Sequence, residues 1–379
     1  MGGKSMKIEQ LSYDLNVFKG EVTLGDLAQW VLVFGNRNLI GDTNIFDKIR
    51  GMYPNAYIMG CSSSGEIRDN IVTDESLVLT AVYLEKSKVV FSSFDLESSK
   101  DSYEVGKKII NSIEREELVH LFVLAEGINI NGSKLVDGMR TEAGVEVSIT
   151  GGLSGDGANF KETCILANEY AKSNKIVVAA FYGEIKTSCA SVGGWDTFGP
   201  ERLVTKSEDN ILYEMDGKPA LDLYKEYLGD LASELPSSGL LFPLSLRDKD
   251  SEFSYVRTIL GINEEDKSLI FAGDIPKNIY CRLMKANNDN LINGSKQAGE
   301  FSLETFDSES AELAILVSCV GRKLVLKQMV DEEVDIVKET FGDKTSITGF
   351  YSYGEISPYK KGTQCELHNQ TMTVTLFSE

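Results

Sequence analysis

The chain has 379 residues, 42% hydrophobic and 25% charged, a globular composition that excludes wholesale disorder and is too long for one ordinary core. Lys and Arg total 38 against 58 Asp and Glu, a net charge of −20, so neither nucleic acid nor an anionic membrane surface is expected as a partner. No apolar run approaches the roughly 18 residues of a membrane span. The opening MGGKSMKIEQ lacks a signal-peptide core, so a cytoplasmic location is expected, with Met1–Ser5 read as a cloning remnant.

In chain order, QWVLVFG (29–35) reads as a strand, DTNIFDKIRGMY (42–53) as a helix and AYIMG (56–60) as a second strand. The order recurs in VHLFVLAEG (119–127), SKLVDGMRTEA (133–143) and VEVSITG (145–151). It recurs again in LAILVSCVG (313–321), VDEEVDIVKETFG (330–342) and SITG (346–349). Each segment has the size of a βαβ unit, and near-continuous apolar strands suit a sheet covered on both faces. The second strands share a signature. IMGCSSSGEI (58–67) aligns without gaps to ITGFYSYGEI (347–356), and SITGGLSGDG (148–157) lies between them, so Gly60, Gly151 and Gly349 are expected at equivalent strand positions.

Beyond these, AVYLEKSKVVFSSF (81–94) and AFYGEIKTSCASVG (180–193) read as β-hairpins of alternating polarity. The closing strand TMTVTLF (371–377) matches SLVLTAV (76–82). Between the second and third copies, NILYEMDGKPALDLYKEYLG (210–229) predicts a strand, an Asp-Gly turn and a helix opened by Pro219. LPSSGLLFP (235–243) reads as a linker, followed by a β-meander from FSYVRTILGI (253–262) to IYCRLM (279–284) and a helix over 289–301. The fold class expected is α/β: repeated strand–helix–strand units in mixed sheets, in two domains with internal duplication. An N-terminal domain, 25–200, holds repeats at about 25–95 and 115–195. A C-terminal domain, 205–379, holds a β-rich insert and a third repeat at about 310–379, with the boundary near 200–235.

Loops at the carboxyl ends of strands are where open α/β sheets bind ligands. The candidate ligand-binding residues are Ser63, Glu66, Ser154, Asp156, Arg322, Ser352, Glu355 and His368. Serine hydroxyls, backbone N–H groups and the Arg322 fork suit a carboxylate, while Glu66 and Glu355 suit an ammonium, a pairing that fits an amino acid. The competing reading is structural: the glycines permit tight turns, the serines satisfy local backbone groups, and Arg322 meets one of the many carboxylates. No nucleotide-binding glycine pattern is present. Cys61 or Ser63 as the nucleophile of a hydrolase or transferase requires a base, and the chain holds only His120 and His368. His368 is read three ways: bonded to a backbone carbonyl, touching a ligand, or coordinating a haem iron. With two histidines and no CxxC among its six cysteines, no metal site is expected. Those cysteines read as reduced core thiols. Asn131 and Asn369 match the glycosylation pattern without an expected use for it. Trp195 is read as pocket wall or core, and the acidic run 331–339 as a solvated helix face.

The segments GCSSSGE, GGLSGDG, LYEMDGKPALDLYKEYLG, SCVGR, GFYSYGEISP and LHNQTMTVTLF, in this order, resemble the FIST family, whose paired N- and C-terminal domains would cover roughly 25–375. The resemblance implies a stand-alone sensory module that binds a small ligand, amino acids among the proposed ones, and signals through a separate partner protein such as a histidine kinase. One subgroup implies the alternative of a haem-binding nitric-oxide sensor. The resemblance supplies no catalytic residues, so no enzyme activity and no resident cofactor is expected.

Overall fold

The computed structural model describes residues 6–97, 101–144, 147–249, 254–308 and 310–379. Met1–Ser5 lie outside them, as do Val145, Glu146 and Phe253 at the starts of two of the expected strands. The first repeat runs β1 (Lys7–Asp14), β2 (Val17–Lys19), β3 (Trp30–Gly35), α1 (Arg37–Ile40), α2 (Thr43–Met52) and β4 (Tyr57–Ser62). It continues through β5 (Glu66–Arg68) and β6 (Ile71–Thr73) to β7 (Leu77–Tyr83). The second comprises β8 (Ser87–Asp95), α3 (Ser102–Asn111), β9 (Leu118–Ala125), α4 (Gly132–Ala143), β10 (Ser148–Leu153), β11 (Ile165–Ala167) and β12 (Lys175–Gly183). The third opens with β13 (Lys186–Val192) and is then interrupted.

The interruption carries β14 (Asp196–Glu208), β15 (Ile211–Met215), β16 (Lys218–Pro219), α5 (Ala220–Leu228) and β17 (Leu244–Arg247). It goes on through β18 (Ser254–Arg257), β19 (Ile259–Asn263), β20 (Ser268–Phe271) and β21 (Tyr280–Lys285). These strands form a sheet of their own around Leu212, Tyr224, Leu246, Ile259 and Leu283. The third repeat then resumes with α6 (Asn288–Glu304), β22 (Leu313–Cys319), α7 (Val320–Leu326), α8 (Val330–Phe341) and β23 (Ser346–Ser352). It ends with β24 (Gly354–Pro358), β25 (Cys365–His368) and β26 (Met372–Ser378).

The three repeats build three six-stranded sheets by the same rule. In each, the two strands around the central helix pair in parallel: β3 with β4, β9 with β10, β22 with β23. The last strand of the repeat returns antiparallel to the first of that pair. The strand after the glycine loop leaves its own repeat. β5 pairs with β23, β24 with β10, and β11 with β4, closing a ring in which every repeat completes another's sheet. Gly60, Gly151 and Gly349 hold the expected equivalent positions, opposite Val33, Val123 and Leu316. A Cβ on any of the three would collide with the carbonyl oxygen of that opposing residue, so the close strand approach requires glycine.

The apolar runs of β3, β9 and β22 are continuous because both faces are buried, with side chains alternating at period two. Trp30, Leu32 and Phe34, Phe122 and Leu124, and Leu313, Ile315 and Val317 meet in one central core between the sheets. The residues between them pack outward, against α2, against α3 and α4, and against α6 and α8. Trp30 joins all three repeats, with its ring 5.2 Å from Phe181 and 6.5 Å from Phe377.

Several expectations change. Residues 81–94 and 180–193 are not hairpins: β7 stays in the first sheet while β8 pairs with β12, and β13 crosses to pair with β26. In each segment the chain leaves one sheet for the next between its two strands. The sheets draw strands from both halves of the chain, and residues 196–285 form an insertion within the third repeat. The expected linker 235–243 contains a 3-10 turn over 237–241, directly after another over 229–234. The acidic run is not wholly solvated, because Glu333 is fully buried on α8 beside Val334 and Val337.

Candidate functional site

The ring of strand exchanges brings the three Gly-x-x-Ser loops together at one end of the central core. Ser64 N–H donates to the Tyr351 carbonyl, Gly155 N–H to that of Ser62 and Tyr353 N–H to that of Leu153. The loops therefore converge, but spend their polar groups on one another.

The first and third loops close in the same way. Ser63 Oγ donates to Glu66 Oε1 at 2.6 Å, and Glu66 Oε2 accepts from Ser76 Oγ at 2.7 Å and Ser76 N at 3.3 Å. Ser352 Oγ donates to Glu355 Oε1 at 2.6 Å, and Glu355 Oε2 accepts from Thr371 Oγ1 at 3.0 Å and Thr371 N at 3.2 Å. Both glutamates are buried. Burial penalises the charged form more than these bonds favour it, and pushes each carboxyl up to about 7.

Arg322 is fully buried and ion-paired with Glu333, Nη2 to Oε2 at 2.9 Å. It also donates to the Leu291 carbonyl at 2.8 Å, to Ser295 Oγ at 2.8 Å and to the Gly193 carbonyl. Its fork is consumed by the protein. His368 places Nε2 2.9 Å from the Ser357 carbonyl, and burial lowers its pKa to about 4, so the neutral ring donates that bond. His120 is a core residue against Thr150 Oγ1 at 2.9 Å, lowered by burial to about 3. Cys61 lies in the central core with its thiol pushed well up by burial, and all six cysteines are buried and free. Trp195 is buried and donates Nε1–H to the Gln370 carbonyl.

The second loop differs. Ser154 is buried and its hydroxyl has no partner among the described residues. Asp156 accepts from the N–H groups of Phe160 (2.8 Å), Lys161 (2.9 Å) and Glu162 (3.0 Å), and from Tyr353 OH. This holds the Phe160 ring stacked on Tyr353 at 4.4 Å and 15°.

That stacked pair forms part of the wall of a cleft of about 1240 Å³ between the second repeat and the insertion. The repeat contributes Ile128, Asn131, Lys134 and Leu153, from the carboxyl ends of β9 and β10 and the start of α4. The insertion contributes Asp209, Asn210, Ile259, Phe271 and the turn 236–241. Leu324, Lys327 and Tyr353 come from the third repeat. Asn131 caps α4, its Oδ1 accepting from Lys134 N at 3.0 Å, and its Nδ2 donates to Asp274 at 2.8 Å. Lys134 meets Asp274 at 3.1 Å, and that hydrogen-bonded pairing raises its pKa. Buried Arg257 ties the insertion to the repeats through the Leu367 carbonyl at 3.0 Å.

None of the eight expected ligand residues lines this cleft; Asp156 stands directly behind it. Two signals pointed there. Asn-Gly-Ser at 131–133 is a helix cap after a parallel strand, although its sequence matched the glycosylation pattern. Pro236–Leu241 carries leucines that a solvated linker would not need.

Residues 29–218 match the FIST N domain and residues 220–358 the FIST C domain. The chain belongs to the FIST family, whose domains are generally sensory, ligand-binding signalling modules. It is 24% identical to an uncharacterized protein of Methanocaldococcus jannaschii over 82% of this chain, and spans 66% of that protein's length. A chorismatase crystal structure aligns over 100% of both chains with 8% identity and a TM-score of 0.35, a likeness that carries no argument. No helix among the described residues is long and apolar enough to cross a membrane.

Proposed function

We propose that this protein senses a small ligand held in the cleft between the second repeat and the insertion, and passes the signal to a separate partner protein. The cleft itself carries the reading. It is large and concave, lies at the carboxyl ends of parallel strands, and is walled by the second and third repeats on one side and by the insertion on the other. A ligand touching both walls favours one relative arrangement of them, and that differential affinity is what a signal requires. A free amino acid is the ligand that the repeated loops suggested. With Glu66, Glu355 and Arg322 bonded internally, the charged side chains left to meet one are Glu234 and Lys327 at the cleft mouth.

A thermal-shift scan of the twenty amino acids and common metabolites tests this. A ligand at 100 times its dissociation constant stabilises the fold by about 2.7 kcal/mol, and Leu240→Glu in the cleft wall should abolish the shift. A shift that survives this substitution would place the ligand elsewhere.

A further inference from the structure

The interior of the cleft constrains what fits it. Its walls are chiefly apolar, with Ile128, Leu153, Leu240, Ile259, Phe271 and Leu324 facing the space from both sides. The polar side chains deeper in are already engaged: Asn131 with Asp274 and the α4 amide, Asn210 Nδ2 with the Phe271 carbonyl at 2.8 Å, and Ser238 Oγ with the Leu231 carbonyl at 2.9 Å. Lys134 is held by Asp274 and Tyr353 OH by Asp156. Glu234 and Lys327, both exposed, are charged lining residues whose side chains have no ionic or hydrogen-bonding partner among the described residues.

One wall is also built under strain. Phe160 adopts φ +52°, a left-handed conformation that a bulky side chain disfavours. Three backbone N–H groups donating hydrogen bonds to the Asp156 carboxylate hold the turn that presents its ring beside Tyr353. Two stacked rings offer an apolar edge against which a planar ring packs favourably.

We infer that the cleft takes an apolar, ring-bearing ligand larger than a free amino acid, its body between Phe160–Tyr353 and the Leu240 turn and its polar end at the mouth beside Lys327 and Glu234. The inference rests on the cleft being the sensory site and adds the ligand's chemical class. A free amino acid would use the mouth and leave the apolar interior unfilled, whereas a large apolar body excludes water from both walls at once.

The test uses the full chain and the uncharged planar dye Nile red. Fluorescence titration should show one saturable site, weakened at least tenfold by Leu240→Glu on the insertion and by Leu324→Glu on the third repeat. Leu27→Glu, at an exposed position off the cleft, should leave it unchanged. Circular dichroism of each variant confirms that it is folded, and Phe160→Ala provides a second wall variant should Leu324→Glu fail to fold. Absence of saturable dye binding, while an amino acid gives a Leu240-dependent thermal shift, would overturn the ligand class and leave the cleft standing. Dye binding indifferent to both wall variants would overturn the inference, and a small-molecule shift equally indifferent to them would overturn the cleft as well.

Discussion

In the first and third repeats a buried glutamate is held by a serine three residues before it and by a hydroxyl from just ahead of the next long strand: Ser63–Glu66–Ser76 and Ser352–Glu355–Thr371. In the second repeat, the loop at the same place carries Asp156, whose partners are a turn at 160–162 and Tyr353 of the third repeat. The backbone path into the three loops is the same, down to a glycine that opposes a carbonyl of the parallel strand. What differs is the neighbour. The insertion 196–285 faces the second loop, and there the repeated folding device shapes a cavity wall, which Tyr353 shares from the end of the third loop. The comparison separates two uses of similar chemistry: a carboxylate whose oxygens end in its own loop, and one that shapes a wall.

The largest effect tests the third repeat's buried ion pair. Arg322→Met leaves Glu333 buried and unpaired, and should destabilise the protein by about 3–5 kcal/mol in denaturant unfolding. A ligand-facing arginine would instead lose binding with little change in stability, which would break the distinction between wall and scaffold.

A smaller effect concerns pH. Glu66 and Glu355 titrate near 7 when folded, against 4.5 for an unburied glutamate. The folded protein therefore binds protons that the unfolded chain has released, and stability falls as pH rises from about 4.5 to about 7, then levels. Glu66→Gln and Glu355→Gln should each flatten this fall, by an amount on the order of 1–3 kcal/mol. The two should behave alike because the two loops are built alike; a response from one only would mean that their resemblance stops at the sequence.

The smallest stability effect is the most specific. Tyr353→Phe removes the hydroxyl that Asp156 accepts, at a cost of about 1–2 kcal/mol, and should also weaken Nile red binding by loosening the Phe160 turn. Ser63→Ala removes a bond of similar strength in the first loop and should leave dye binding unchanged. Equal losses of binding in both variants would show that the loops act together and that the insertion does not single one out.

Much of the body was legible in the sequence. The apolar runs of β3, β9 and β22, the helices between them and the three equivalent glycines follow from period and from the backbone proximity that only glycine permits. Arg322 and His368 were legible only as a choice between partner and ligand, since a side chain's meaning depends on what surrounds it. Glu333 supplied the arginine's partner from a helix whose acidic run looked solvated, and the Ser357 carbonyl supplied the histidine's.

By itself, the sequence determined the repeat, its local elements and the acidic surface, because these depend on propensity, periodicity and charge within windows of tens of residues. The tertiary structure alone decided which strand completes which sheet, since β5, β11 and β24 pair across separations that no local pattern records. It alone also placed the cleft, whose walls come from residues more than a hundred positions apart and whose apolar character exists only when Ile128, Leu240 and Leu324 face the same space.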